Sequence, residues 1–129
     1  MKKSLLITLW SCRIIVSLIL LQTLYFKFSA HPESVLLFTK LGVEPWGRIA
    51  LGCIELVVGI GLLIPRVSLL ASFGATGILS GAIVTHLAVI GIESNGDGGQ
   101  LFFMALVAFI AAAVAFWIQW NERNTKKIR

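Results

Sequence analysis

Four long apolar runs, residues 4–26, 47–64, 68–92 and 101–120, alternate with short polar segments. At a helical rise of about 1.5 Å per residue, each run approaches or exceeds a hydrocarbon core of about 30 Å. The pattern predicts an all-α chain: one integral membrane four-helix bundle occupying residues 1–129. The segment 28–46 is the one sizeable polar connection, holding His31, Pro32, Glu33, Lys40, Glu44 and Pro45. Within it, residues 34–41 (SVLLFTKL) read as a short helix lying on the membrane surface, and Pro45 interrupts the chain ahead of the second run. Pro65-Arg66 is a tight turn. ESNGDGG, residues 93–99, is a second polar turn, without the Gly-Lys-Ser/Thr ending of a phosphate loop. The third run is long enough to predict tilt or a frayed end. The tail, 121–129, is polar and basic.

Composition sharpens this picture. Hydrophobic residues make up 57% of the chain and charged residues 13%, about half the charged share of a soluble domain, and the mean hydropathy is +0.92. Such a chain lacks a polar shell for water. The net charge is +5, but its bases sit at termini and helix ends with no aromatic-interleaved basic face, which excludes nucleic acid as a partner. The lipid bilayer is the partner that this composition demands. Lys2, Lys3, Arg66, Arg123, Lys126, Lys127 and Arg129 fall on the side of the termini, and Lys27, Lys40 and Arg48 on the other. Positive charge marks the cytoplasmic side, so both termini are expected there, in a bacterial-type plasma membrane. Trp117 and Trp120 suit the inner interface, Tyr25 and Trp46 the outer. The first run exceeds the h-region of a signal peptide, about 7–15 residues, and Arg13 interrupts it, so it reads as a retained helix.

Candidate chemistry centres on residues 48–65, RIALGCIELVVGIGLLIP. On a helix, Arg48, Gly52, Glu55 and Gly59 share one stripe. An acid at a helix centre costs about 3 kcal/mol on insertion, which the surrounding aliphatic residues only roughly offset. Glu55 therefore needs a partner, and an intramembrane acid is a site hypothesis in itself. Arg13 shares a stripe with Ser17, Leu20, Leu24 and Lys27. With Lys3 level with Arg66, Arg13 and Glu55 both stand about 15 Å in from the turn, which predicts an Arg13–Glu55 ion pair. That pair either serves a site or only orients two helices.

His86, near the outer end of the third run, is either a hydrogen-bonded interior residue or a proton or ligand carrier in a polar pocket shared with Lys27 and Arg48. It cannot hold a metal alone, His31 lies in the loop, and no acidic cluster accompanies either, so no metal site is expected. Gly52 and Gly59 allow a neighbouring helix to approach. Gly77 and Gly81 form a GxxxG contact motif nearly opposite His86, suited to a second neighbour or another protomer. Ala108, Ala112 and Ala115 make a similar smooth stripe ending in Gln119. Cys12 and Cys53 form no CxxC pair and read as structural thiols. GxSxG, HExxH and GxGxxG are absent, so no catalytic residue is assigned, and no inverted repeat points to a transporter.

These residues resemble the DoxX family of small four-helix membrane proteins. Arg13 and Lys27 match the arginine and lysine of its first helix. RIALGCIELVVGIGLLIPR is similar to its second helix, where a glutamate sits in a glycine-bearing helix ending Leu-Leu-Ile-Pro. His86 matches a histidine near the outer end of the third helix. Gln22-Thr23-Leu24 departs from the family, which has glycine shortly before the lysine. The resemblance implies a membrane subunit of a redox system, quinone-linked or concerned with oxidative stress. Quinone is the one cofactor it suggests, and a redox subunit or a second copy the protein partner. In that reading Arg13 keeps Glu55 ionised, Lys27 and Arg48 attract an anionic group, and His86 exchanges a proton. The alternative is a non-enzymatic scaffold whose buried charges only hold the bundle together.

Overall fold

The computed structural model describes residues 1–93 and 96–128, with side chains through residue 125. Ser94 and Asn95 of the second polar turn, Arg129, and the side chains of Lys126 and Lys127 lie outside the described residues. The elements are α1 (Lys3–Gln22), α2 (Leu24–Phe28), α3 (Pro32–Lys40), α4 (Trp46–Leu62), α5 (Ser68–Thr85), a π-helical turn (His86–Ile90) and α6 (Gln100–Ile128). No strand occurs among the described residues. The protein is an all-α membrane protein. The α1–α2 unit, α5 with its π turn, and α6 are each long and apolar enough to cross a bilayer. The 17 residues of α4 stand at the short end of the spanning range.

Each long helix packs on its chain neighbours, and α6 closes the ring against α1. Small residues make this closure tight. Ala108, Ala112 and Ala115 of α6 are fully buried, alongside Ala75 of α5 and Val16 of α1. The outward faces carry exposed apolar side chains such as Leu18, Val57, Leu70 and Ile110, a surface that only lipid or another apolar partner covers.

The first apolar run is not one uninterrupted helix. At Thr23 the hydroxyl donates to the Leu20 carbonyl at 2.8 Å, competing with the backbone ladder, and α2 starts at the next residue. The third run is α-helical only to Thr85. It then widens into the π turn, which Gly91 closes at φ 87°. The surface helix expected over 34–41 begins slightly earlier. Pro32 takes its first position, and His31 Nδ1 accepts from the Glu33 N–H at its N-terminus.

Candidate functional site

α1 and α4 run antiparallel, and two hydrogen bonds fix their register. Ser17 Oγ donates to the Gly59 carbonyl at 2.7 Å, and Arg13 Nε to the Leu62 carbonyl at 2.6 Å. Carbonyls in the last turn of a helix have no partner within it, so α1 satisfies the end of α4 with its own polar side chains. The same register puts Glu55 beside the α1–α2 break. Lys27 Nζ lies 3.2 Å from Glu55 Oε2, and Thr23 Oγ1 is 3.1 Å from that oxygen and 3.1 Å from Lys27 Nζ. Glu55 is buried.

The Arg13–Glu55 pair expected from the sequence does not form. Arg13 instead reaches Leu62, two turns along α4 from Glu55, about 10 Å at helical rise. The height estimate placed Lys3 level with Arg66, whereas the first turns of α1 run past the α4–α5 turn. Lys27, near the far end of the same stripe, is the counter-ion.

Lys27 and Glu55 face a cavity of about 620 Å³, which His86 and Thr85 also line. Its walls are otherwise mostly apolar, with Phe26, Phe38, Leu41, Ile78 and Met104 among them. Gln22, Glu33, Asp97 and Gln100 add polar groups. Asp97 is engaged at the start of α6, accepting from the Gly99 and Leu101 N–H groups at 2.8 and 3.1 Å. His86 is buried, its Nδ1 lies 3.0 Å from the Gly91 carbonyl, and its ring meets Phe102 edge-on at 5.5 Å. A carbonyl can only accept, so Nδ1 is the donor in this contact.

Arg13 and Arg48 do not line this cavity. Arg48 is buried beside it, its Nε 2.9 and 3.0 Å from the two Glu44 oxygens, and its Nη1 donates to the Lys27 carbonyl. It neutralises an acid and steadies the last turn of α2 by satisfying one of its carbonyls. Of the five polar candidates, then, Lys27, Glu55 and His86 come together. Gly52 and Gly59 touch side chains of the first segment: a Cβ built on them lies 2.9 Å from Phe28 and 2.7 Å from Leu21. Gly77 and Gly81 meet no neighbouring helix at their Cβ positions among the described residues. They border the cavity, with nothing within 4 Å of an added Cβ. Cys12 and Cys53 are free thiols, half-buried and exposed.

Thr23 was missed as a site residue. Its spacing of four from Lys27, which makes the two neighbours on a helix face, was the available signal. The aromatic lining from α3 carried none, because a surface helix declares which way it faces only once it is docked.

Fold and cavity together define a small helical membrane protein with a largely apolar chamber, bordered by the Lys27–Glu55 pair, His86 and the carboxylates of Glu33 and Asp97. The family model of the DoxX-like family matches residues 12–116, and the chain belongs to that family. Neither the curated proteins nor the solved structures contain a match.

Proposed function

We propose that this protein is a multi-pass subunit of a redox system in a bacterial-type plasma membrane, and that its cavity binds a quinone. Both termini are cytoplasmic in this reading, and the cavity lies toward the outer face. The observation that carries it is the cavity itself, in which the Lys27–Glu55 pair and His86 share one mostly apolar chamber. A volume of about 620 Å³ lies in the range that holds small organic ligands, about 300–1,000 Å³. The apolar and aromatic walls suit a ring with an isoprenoid tail.

The polar groups suit its oxygens. An ammonium has three N–H donors; two of those on Lys27 are turned to Glu55 and Thr23, which leaves one for a ligand carbonyl. His86 Nε2 can accept a hydroxyl proton. A bound quinone supplies the two-electron, two-proton chemistry. The protein would hold the ring and exchange the protons of the quinone/quinol couple at Glu55 and His86, with the redox partner giving or taking the two electrons. The family membership supports a membrane role.

Purification in mild detergent, with mass spectrometry of bound small molecules and proteins, tests this. The wild-type protein retains a quinone, and Lys27→Ala and His86→Ala each retain less than about a tenth of it, the loss expected for one buried charged or neutral hydrogen bond. Quinone-free wild-type protein, whose melting temperature also fails to rise with added quinone, sinks the reading. The scaffold alternative draws support from Arg13 and Ser17, each of which donates one hydrogen bond to an α4 carbonyl. It gains if Glu55→Gln and His86→Ala insert normally but lose a co-purifying membrane partner.

A further inference from the structure

At the opposite end of the bundle lies a second cleft, of about 740 Å³, with a different character. It arises because α4 and α5 turn back early. About 15 Å of α1 precedes Arg13 and about 13 Å of α6 follows Gln119, while Arg13 and Gln119 stand level with the two ends of the α4–α5 turn, at Leu62 and Ser68. The overhanging ends of α1 and α6 and the turn between them form three walls.

Three arginines line this cleft: Arg13 from α1, Arg66 from the turn and Arg123 from α6. Arg13 is 3% exposed, and its Nη2 is buried with no hydrogen-bond partner among the described residues. The Trp10 ring covers its guanidinium at 3.9 Å. Glu122 also lines the cleft, but it forms no ion pair among the described residues, where the two pairs seen are Lys27–Glu55 and Arg48–Glu44. Ser68 and Gln119 are bonded to each other and to Ser72, so neither takes up the guanidinium. Three arginines thus face one carboxylate, and the deepest carries an NH2 group, Nη2, with no acceptor among the described residues. A buried donor without an acceptor is costly, and a guanidinium fork matches the paired oxygens of a phosphate.

From this unpartnered guanidinium and its two companions we infer that the cleft is a binding site for a phosphate-bearing anion, seated between Arg13, Arg66 and Arg123. Leu6, Leu9 and Leu69 line the same cleft and offer apolar surface beside the phosphate position. That combination favours the phosphodiester of an anionic phospholipid over a free phosphate, as basic pockets between helices at the cytoplasmic level hold acidic headgroups. The inference does not rest on the quinone reading, since the two clefts share no lining residue.

The test titrates delipidated full-length protein in detergent with phosphatidylglycerol, phosphatidylcholine or inorganic phosphate, and follows lipid retention by native mass spectrometry and protection by thermal shift. Phosphatidylglycerol binds in preference to phosphatidylcholine, and Arg66→Gln/Arg123→Gln weakens it about 25-fold, about five-fold per arginine. Arg13→Gln weakens it further. Should Arg13→Gln fail to fold, the double variant, altered only at exposed positions, decides alone. Equal protection by inorganic phosphate, lost in the same variants, assigns the site to free phosphate and keeps the anion chemistry. Indifference to headgroup and to phosphate, or binding unchanged in the double variant, overturns the inference.

Discussion

The first segment meets α4 through a cation at each end, and the two ends solve the problem differently. At one end an ammonium, Lys27, meets a carboxylate, Glu55, and a threonine hydroxyl closes the triangle. At the other a guanidinium, Arg13, meets no acid at all. It rests on one backbone carbonyl and an indole face and leaves its Nη2 amino group without a partner among the described residues. Charge is neutralised by charge beside the cavity, and balanced only by dipoles beside the second cleft. Two cations on one stripe, Arg13 buried and Lys27 partly so, therefore have unequal consequences when removed.

The largest effect belongs to Lys27. Lys27→Ala leaves Glu55 buried with only Thr23 to stabilise it, a loss of about 3–5 kcal/mol if the carboxylate stays ionised. Lys27→Met/Glu55→Gln, which removes both charges, recovers most of that loss. The measurement is thermal unfolding in detergent, followed by helical circular dichroism, for Lys27→Met, Glu55→Gln and the double variant that combines them. Additive losses in this cycle would show that the two groups do not interact, and the comparison between the ends would fall with them.

Arg13 should behave otherwise. Arg13→Gln removes a cation that no acid answers, and its amide can still donate toward the Leu62 carbonyl. The expected loss is about 1–2 kcal/mol, for a charged hydrogen bond exchanged for a neutral one and the loss of the Trp10 contact. The same unfolding experiment reads it. A loss equal to that of Lys27→Ala would mean that Arg13 has a carboxylate partner after all.

Much of this molecule was legible in the sequence because membrane physics is strict. Apolar runs, their basic flanks and the pattern around Glu55 gave the helices and the family. Lys27, Glu55 and His86 could be named because polar groups are rare in such runs. The pairing could not, because it depends on register. Helix heights counted from the ends fail when one helix overhangs its neighbour, and two turns of overhang on α1 moved the partner of Glu55 from Arg13 to Lys27. The cleft beside Arg13 was hidden for the same reason, since it exists only because α4 and α5 stop short. His86 and the GxxxG pair were placed on opposite faces by ideal periodicity. Yet the cavity is wide enough to be bordered by both, and α5 gives way to a π turn at His86 itself.

The smallest effects concern the glycines, and they test whether the two glycine pairs differ as their surroundings do. An alanine at Gly59 puts its Cβ 2.7 Å from Leu21 Cδ2 and 2.9 Å from its Cγ. Leu21 must shift in a packed contact, and that strain, about 1–3 kcal/mol, is partly offset by the gain of about 1 kcal/mol from replacing a mid-helix glycine. Gly59→Ala is therefore neutral to destabilising by about 2 kcal/mol, the difference of those ranges. An alanine at Gly77 or Gly81 meets nothing, so only the propensity gain remains, and each variant unfolds later by up to about 1 kcal/mol. The methyl groups project into cavity space, so the pair Gly77→Ala/Gly81→Ala also tightens the chamber beside Ile78 and Thr85. Should these substitutions destabilise the protein or break a dimer on size-exclusion chromatography, the GxxxG face packs against another helix in the membrane. The chamber would then be narrower, in the assembled protein, than the single chain makes it.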